Sequence, residues 1–394
     1  MKPTSYALRY GTLHHNDGEP LRNGTLLIDG GMVHDVRASN VPADAVPIDA
    51  ACIVPGLINA HVHLEMSGEP QTMQTLVLTT PTQRMLVCAD NARKALHAGV
   101  TTVRDLGSTE SLSIDLRDAI AAGNAVGPAI LAAGRAICMT GGHGWWIGRE
   151  ADGPWDVARA VREQRRSGAD CVKFIATGGV LTKGAVPGVE QLGEDELRAG
   201  ITEAHKHGMR CAAHAIGAGG IKNALRAGID SIEHGHLLDD EAIALFLERG
   251  AYLVPTLAAI TCIVEAGTES GQPDFVIRKA REIDEHLRTN LTRARAAGVK
   301  FAGGADSGTP FNYHENYAYE IELMQSQLGM SPREALFAAT ASSADLLGVA
   351  RGRLAPGSAA DLLVLNHDLE SDARPLRDPQ LVFKAGTIAI DRRG

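Results

Sequence analysis

The 394-residue chain is 44% hydrophobic with 43 glycines and a net charge of −9. It has apolar material for one or two large cores and no basic block of the kind that nucleic acids bind. No run of 18 apolar residues occurs, and the start Met1-Lys2-Pro3-Thr4-Ser5-Tyr6-Ala7 lacks the apolar stretch of a signal peptide, so neither a membrane span nor export is expected. Six cysteines without CxxC spacing, with Cys171 and Cys211 inside apolar runs, argue against a disulfide framework and suit a soluble, cytoplasmic protein.

To about Cys52 the chain reads as short strands, at 7–13, 24–29 and 31–36, with a polar Asn16-Asp17-Gly18 turn. From there short apolar runs alternate with helical patterns. The strands are expected at 57–63, 101–105, 129–134, 170–175, 210–214, 230–234, 251–256 and 300–306. Between them, 82–98, 156–168, 194–208, 219–228 and 239–250 are helical, several with a polar cap at the start and glycine at the end. Strands return at 357–365 and 381–390. Eight βα units make an α/β chain with a closed (β/α)8 TIM barrel over 55–352. The two β-rich ends, 1–54 and 353–394, are expected to form one small β-sandwich.

The barrel's chemistry belongs at the C-terminal ends of its strands. The first ends in His61-Val62-His63, whose side chains share a face because strand side chains repeat with period two. Lys173 lies on the fourth, His214 on the fifth, His234 on the sixth and Asp306 on the eighth. Singly each has an ordinary reading: a core histidine, or for Asp306 an N-cap. Together at five strand ends they read as a metal-binding set, and convergent imidazoles most often hold zinc. Lys173, within Cys171-Val172-Lys173-Phe174-Ile175, either snorkels or pairs with a carboxylate, or its neutral amine has taken up carbon dioxide to become an anionic carbamate able to bridge two metals. Among the remaining histidines, His143 in the glycine-rich Thr140-Gly141-Gly142-His143-Gly144-Trp145-Trp146 loop is the candidate to touch substrate. His236 and His314 are weaker candidates. His14, His15, His34, His97, His205, His207, His286 and His367 are expected at the surface.

The segments PGLINAHVHLE, TTVRDLG, DCVKFIATGG, CAAHAI, SIEHG, GGADSG and PGSAADLLVL resemble the amidohydrolase superfamily over nearly the whole chain. Lys173, TGGHG and VKFIATGGV resemble its binuclear, carboxylated-lysine group of Xaa-Pro dipeptidases, Xaa-Arg/Lys carboxypeptidases and ochratoxinases. That resemblance implies two divalent metal ions, with His61, His63 and Asp306 on the more buried, His214 and His234 on the more exposed, and carboxylated Lys173 between. It also implies a small-molecule substrate and a homo-oligomer. The implied reaction is hydrolysis of an amide or peptide bond of a dipeptide-like or N-acyl amino acid substrate by a metal-bridging hydroxide. Asp306 would move the proton to the leaving amine, and His143 would contact the carbonyl or carboxylate. One departure stands out: where dipeptidases of this group often carry His-Ala-Tyr, this chain has His214-Ala215-Ile216. Losing that hydroxyl favours a more apolar substrate, with Trp145, Trp146 or Met66 as pocket walls. The alternative is therefore a hydrolase of aryl amides such as ochratoxin A, or of esters, lactones or cyclic amides.

Overall fold

In the computed structural model, residues 5–16 and 18–393 are described; Asp17 of the expected turn and residues 1–4 of the expected leader-free start lie outside them. All eight barrel strands form, as Leu57–Val62, Val100–Asp105, Ala129–Ala132, Cys171–Ile175, Arg210–Gly217, Ser231–Leu237, Tyr252–Val254 and Lys300–Phe301. They are short apolar runs because strands of a parallel barrel are covered on both faces. Neighbours pair in parallel from the first to the third and from the fourth to the eighth. The halves are joined where Asp170 N donates to Ala132 O (2.8 Å) and Ala60 N donates to Gly303 O (2.9 Å), so the ring closes.

Three strands stop two residues or more before their expected ends: the third, the seventh, which ends at Val254, and the eighth. The third breaks at Gly134, whose φ is +66°, and resumes as Ala136–Cys138 beside the fourth. The eighth leaves its ladder after Phe301, and residues 302–306 fold over the first strand, where Asp306 N donates to His61 O (2.9 Å). The expected helices are present as Pro81–His97, Pro154–Arg166, Glu194–Lys206, Ala218–Ala227 and Asp240–Arg249. Thr80 and Gln83 cap the first of these reciprocally, and Asp239 Oδ1 accepts from Ala242 N (2.8 Å) at the last. A further 23-residue helix, Asp274–Ala296, buries Val276, Ile277, Ala280, Ile283, Leu287, Leu291 and Ala294 against the barrel at helical spacing. Among the described residues no helix is long and apolar enough to cross a membrane, and all six cysteines are free and buried.

Both chain ends contribute to one seven-stranded sheet. Its spatial order is Thr387–Asp391, Leu381–Lys384, Leu362–Leu365, Val46–Pro55, Tyr6–Leu13, Leu21–Asp29 and Met32–Asp35. It closes on its own core of Leu8, Leu13, Leu26, Ile28, Leu362 and Phe383. Strand Val46–Pro55 runs through Gly56 straight into barrel strand Leu57–Val62. A Cβ at position 56 would lie 2.3 Å from Thr101 Oγ1, so only glycine passes there. The stretch 381–390 is two strands and not one: Ala385 and Gly386, with φ of +48° and +72°, turn it into a hairpin. His14, expected at the surface, is buried with its Nε2 2.8 Å from Asp368 Oδ1. Asp368 also accepts from Thr12 Oγ1 and Arg22 Nη1, both at 2.7 Å, and so ties the first strand of the chain to its last quarter.

Burial alone would raise the Asp368 pKa, but the hydrogen bonds from His14, Thr12 and Leu369 N outweigh it and hold it at about 2, below the usual 3.8. A depressed folded-state pKa gives stability that is present above the unfolded value and is lost as pH falls through the folded one, here about 2 kcal/mol. Asp368→Asn is therefore expected to lose about that much at pH 7, with the gap to wild type narrowing as pH falls from 4 towards 2, read by urea unfolding at each pH.

Candidate metal centre

Strand curvature brings every expected ligand to one end of the barrel. His61, His63, Lys173, His214, His234 and Asp306 are all buried there. Asp306 Oδ1 stands 3.4 Å from His61 Nε2 and 3.3 Å from His63 Nε2, so the two imidazoles do share a face. Lys173 Nζ is 3.4 Å from His61 Nε2. The His61 and His234 ring centres are 5.4 Å apart, and those of His214 and His234 are 4.5 Å apart. One donor atom each from His61, His234 and Asp306 falls within 4.8 Å of the others. Three non-glycine residues here, His234, Thr256 and Asp306, have φ of +77°, +46° and +57°. Left-handed backbone of this kind costs on the order of 1–3 kcal/mol each and persists only where its surroundings enforce it.

Each imidazole is held by its far nitrogen. His63 Nδ1 is 3.0 Å from Gly107 O, His234 Nδ1 is 2.7 Å from Thr256 Oγ1, and His214 Nε2 is 3.4 Å from Gly178 O. His61 Nδ1 is 3.0 Å from Glu233 Oε2. In each case the other ring nitrogen is left to serve as an acceptor for a metal. Glu233 is itself held by Arg104 Nη2 (2.8 Å) and Ser231 Oγ (2.6 Å), while Arg104 Nε donates to Ala60 O (2.7 Å). Neither Glu233 nor Arg104 stands out in the sequence reading, although a charged residue inside SIEHG and another inside TTVRDLG carried the signal.

The electrostatics suit cations. Burial lowers His61 to about 4 and takes His214 and His234 well below the usual imidazole range, so all three are neutral, the form that ligates metals. His63 moves the other way: burial opposes it, but the Asp306 carboxylate raises it. Burial would likewise raise Asp306, yet His61 and His63 hold it well below the carboxylate range. Its buried Oδ1 has no hydrogen-bond partner among the described residues. Lys173 is only 2% exposed, which leaves no room to snorkel, and burial brings its amine down to about 8. Among the described residues no carboxylate lies within ion-pair distance of it; its near neighbour is His61. Neutral imidazoles, a carboxylate with an orphaned oxygen and an unpaired buried amine fit divalent cations.

Above the cluster lies a cavity of about 80 Å³. Met66, His143, Trp146 and Ile216 line it, with His236 further back, where its Nε2 meets Pro255 O at 2.8 Å. His143 is fixed by Thr182 Oγ1 at 2.7 Å from its Nδ1 and lies 4.5 Å, centre to centre, from His214; burial lowers it to about 3, leaving it neutral. Its ring rests on Gly179, where a Cβ would come within 2.4 Å of Nε2. Trp145 does not line the cavity. The tight turn Trp145–Ile147 sends Trp146 and Ile147 inward and leaves Trp145 49% exposed. His314 is buried but spends its Nε2 on Met66 O (2.9 Å). Two cations of the kind that anchor a substrate carboxylate are committed elsewhere: Arg149 to Asp156 (2.7 Å) and Glu163 (2.9 Å), and Arg135 to Gly148 O.

Residues 52–389 match the amidohydrolase family. Ochratoxinase of Aspergillus niger is 30% identical over 96% of this chain and 85% of that enzyme. Its crystal structure superposes with a TM-score of 0.89 at 26% identity, covering 100% of this chain and 97% of that one. A Xaa-Pro dipeptidase crystallised with methionine in its active site gives a TM-score of 0.90 at 30% identity over 98% of this chain and 99% of that one. A prolidase complexed with N-methylphosphonate-L-proline gives 0.90 at 30%, over 99% of this chain and 100% of that one.

Removing one partner of a buried ion pair strands the other. Glu233→Ala, which leaves Arg104 enclosed without its carboxylate, is expected to destabilise the fold by about 3–5 kcal/mol in urea unfolding, and Glu233→Gln, which keeps an acceptor, by clearly less.

Proposed function

The chain belongs to the amidohydrolase family and is a hydrolase acting on amide bonds, and from that premise we propose that its barrel mouth is a binuclear metal centre cleaving the amide or peptide bond of dipeptide-like or N-acyl amino acid substrates. The observation that carries the binuclear reading is Lys173, a buried amine with no carboxylate beside it and His61 Nε2 at 3.4 Å. As the neutral amine it adds carbon dioxide and releases a proton, and the carbamate so formed offers two oxygens of the charge the cluster lacks. His61, His63 and Asp306 would hold one cation, His214 and His234 the other, and Lys173 both; zinc suits this nitrogen-rich set. When bound, two such ions supply a water of near-neutral pKa and polarise a carbonyl oxygen.

The chain's own residues then have distinct tasks. Asp306, its Oδ1 free of hydrogen bonds, accepts the proton released on attack and returns it to the departing nitrogen, which leaves readily only as a neutral amine. His143, neutral and fixed through Thr182, contacts the carbonyl from the cavity wall. Glu233 and Thr256 hold the His61 and His234 rings in register. The cavity walls Met66, Leu106, Ile147, Ile175 and Ile216 exclude water from the reacting carbonyl. That apolar wall, with Ile216 in it and Arg135 and Arg149 engaged elsewhere, also supports the second reading: aryl amides of the ochratoxin A kind, or esters, lactones or cyclic amides.

Turnover by the metal-replete protein, measured with its metal content, tests both readings on Xaa-Pro dipeptides, N-acyl amino acids and aryl amides and esters. Two metals per chain with cleavage of free-carboxylate amides is expected; two metals with activity confined to aryl amides, esters or lactones would move the protein to the second reading. Lys173→Ala is expected to hold one metal or none, and full occupancy would sink the bridging carbamate. Asp306→Asn is expected to abolish turnover while keeping most of the metal; retained turnover would remove Asp306 from proton transfer.

A further inference from the structure

The cavity over the cluster is too small for a whole substrate: its 80 Å³ falls well below the range of about 300–1,000 Å³ for small-molecule sites. Beside it lies a groove of about 470 Å³ that shares Trp146 and Leu181 with the cavity. Its remaining walls include Met73, Val77, Leu78, Trp145 and Lys183. Val77, Leu78 and Trp145 are 57%, 83% and 49% exposed and line one groove together.

Rings lead from one space to the other. His143 meets Trp146 edge to face at 5.6 Å, and Trp146 meets Trp145 in the same way at 6.1 Å. The Trp146 Nε1–H, enclosed at the threshold, has no acceptor among the described residues. Resting on the amide-hydrolase reading, we propose that this groove is the acyl subsite, taking the apolar, aromatic or long-chain group attached to the scissile carbonyl. The leaving nitrogen has to stay beside Asp306, which returns the proton to it, so the acyl group is the one that runs from the carbonyl at His143 along Trp146 towards Trp145. The Trp146 Nε1–H is then a donor for an oxygen of the acyl group, and Trp145 stacks on its distal end.

The test keeps the leaving group constant. The metal-replete full chain is given N-acyl-4-nitroanilides from acetyl to decanoyl, together with 2-naphthoyl. Each methylene buried in the groove is expected to raise kcat/KM about threefold to fourfold until the groove is full, with the gain in KM and not in kcat. Trp145→Ala and Leu78→Ser are expected to lower the naphthoyl-to-acetyl ratio about tenfold, and Trp155→Ala, an exposed tryptophan outside the groove, to leave it unchanged. A flat series, or an unaltered ratio in folded Trp145→Ala, overturns the subsite while the amide-hydrolase reading stands. If no anilide is cleaved, the groove is judged instead by binding of N-(2-naphthoyl)glycine to chelator-treated protein, followed by tryptophan fluorescence. Weaker binding by Leu78→Ser supports the subsite and equal affinity overturns it. Dissociation of an oligomer by Leu78→Ser with an unchanged acyl series also overturns it, as the mark of a surface covered by a second copy.

Discussion

Most of this structure answers to one electrostatic constraint: five nitrogen-bearing side chains and one carboxylate are enclosed at a barrel mouth with almost no water to share. Burial cannot support four imidazolium ions and an ammonium in that space, and it drives most of the ring nitrogens neutral and lowers the lysine. What is left is a lone-pair-rich cluster around an Asp306 oxygen that lies 3.3 to 3.4 Å from two imidazole nitrogens without a hydrogen bond among the described residues. Such an arrangement is costly as an endpoint of folding and makes sense as a receptor for cations, whose charge supplies what burial removes. The strained backbone at His234, Thr256 and Asp306 belongs to the same account, since strain stored at a site shows that the scaffold enforces the geometry.

The scaffold does this by continuity. The strand carrying His61 is an extension, across Gly56, of the longest strand in the terminal sheet. Gly56 N donates to Asp361 O (2.8 Å), and Leu57 N to Gly99 O (3.0 Å), so the junction is held from both sides. His61 and His63 are therefore braced by a second core at a distance from the cluster. Beneath them Arg104 reaches across the barrel to Ala60, Ser231 and Glu233, linking the first, second and sixth strands through one guanidinium. Glu233 is held down to about 2 although burial opposes it, chiefly by the Arg104 charge, and stays an anion against His61. The neighbouring helix Leu257–Ala266 starts just after Thr256, and its first N–H groups, of Leu257 and Ala258, donate to buried Glu320 at 2.9 and 2.7 Å. The residue that orients His234 is thus followed by a helix start fixed by the buried carboxyl group of Glu320 on another helix.

Above this rigid floor the specificity surfaces are of another kind. They come from the loop after the third strand, the excursion at 176–193 and the helix Thr72–Leu78, which meet around Trp146 and Leu181. The same fold can serve different amides by changing these walls while the ligand set stays as it is. Ile216 belongs half to each part: its backbone N–H is pinned by Thr177 Oγ1 at 3.1 Å, while its side chain is one of the apolar walls of the cavity.

The sequence alone determined the eight strands and the residues that cluster at their ends, for a physical reason: a strand covered on both faces must be apolar, so a histidine, lysine or aspartate at its end is conspicuous. It also carried five of the helices around the barrel, whose caps and periodicity are local, but not the 23-residue helix Asp274–Ala296. Tertiary structure alone decided whatever depends on a distant partner. His14 is buried because Asp368, 354 residues away, receives it. Glu233 acts on His61 only because Arg104 from another strand holds it there. The Ala385-Gly386 turn follows from backbone angles that alanine does not advertise, and Trp145 leaves the cavity to Trp146 because a single tight turn separates adjacent side chains. Local patterns record what a residue must be surrounded by; only the closed barrel determines which residues do the surrounding.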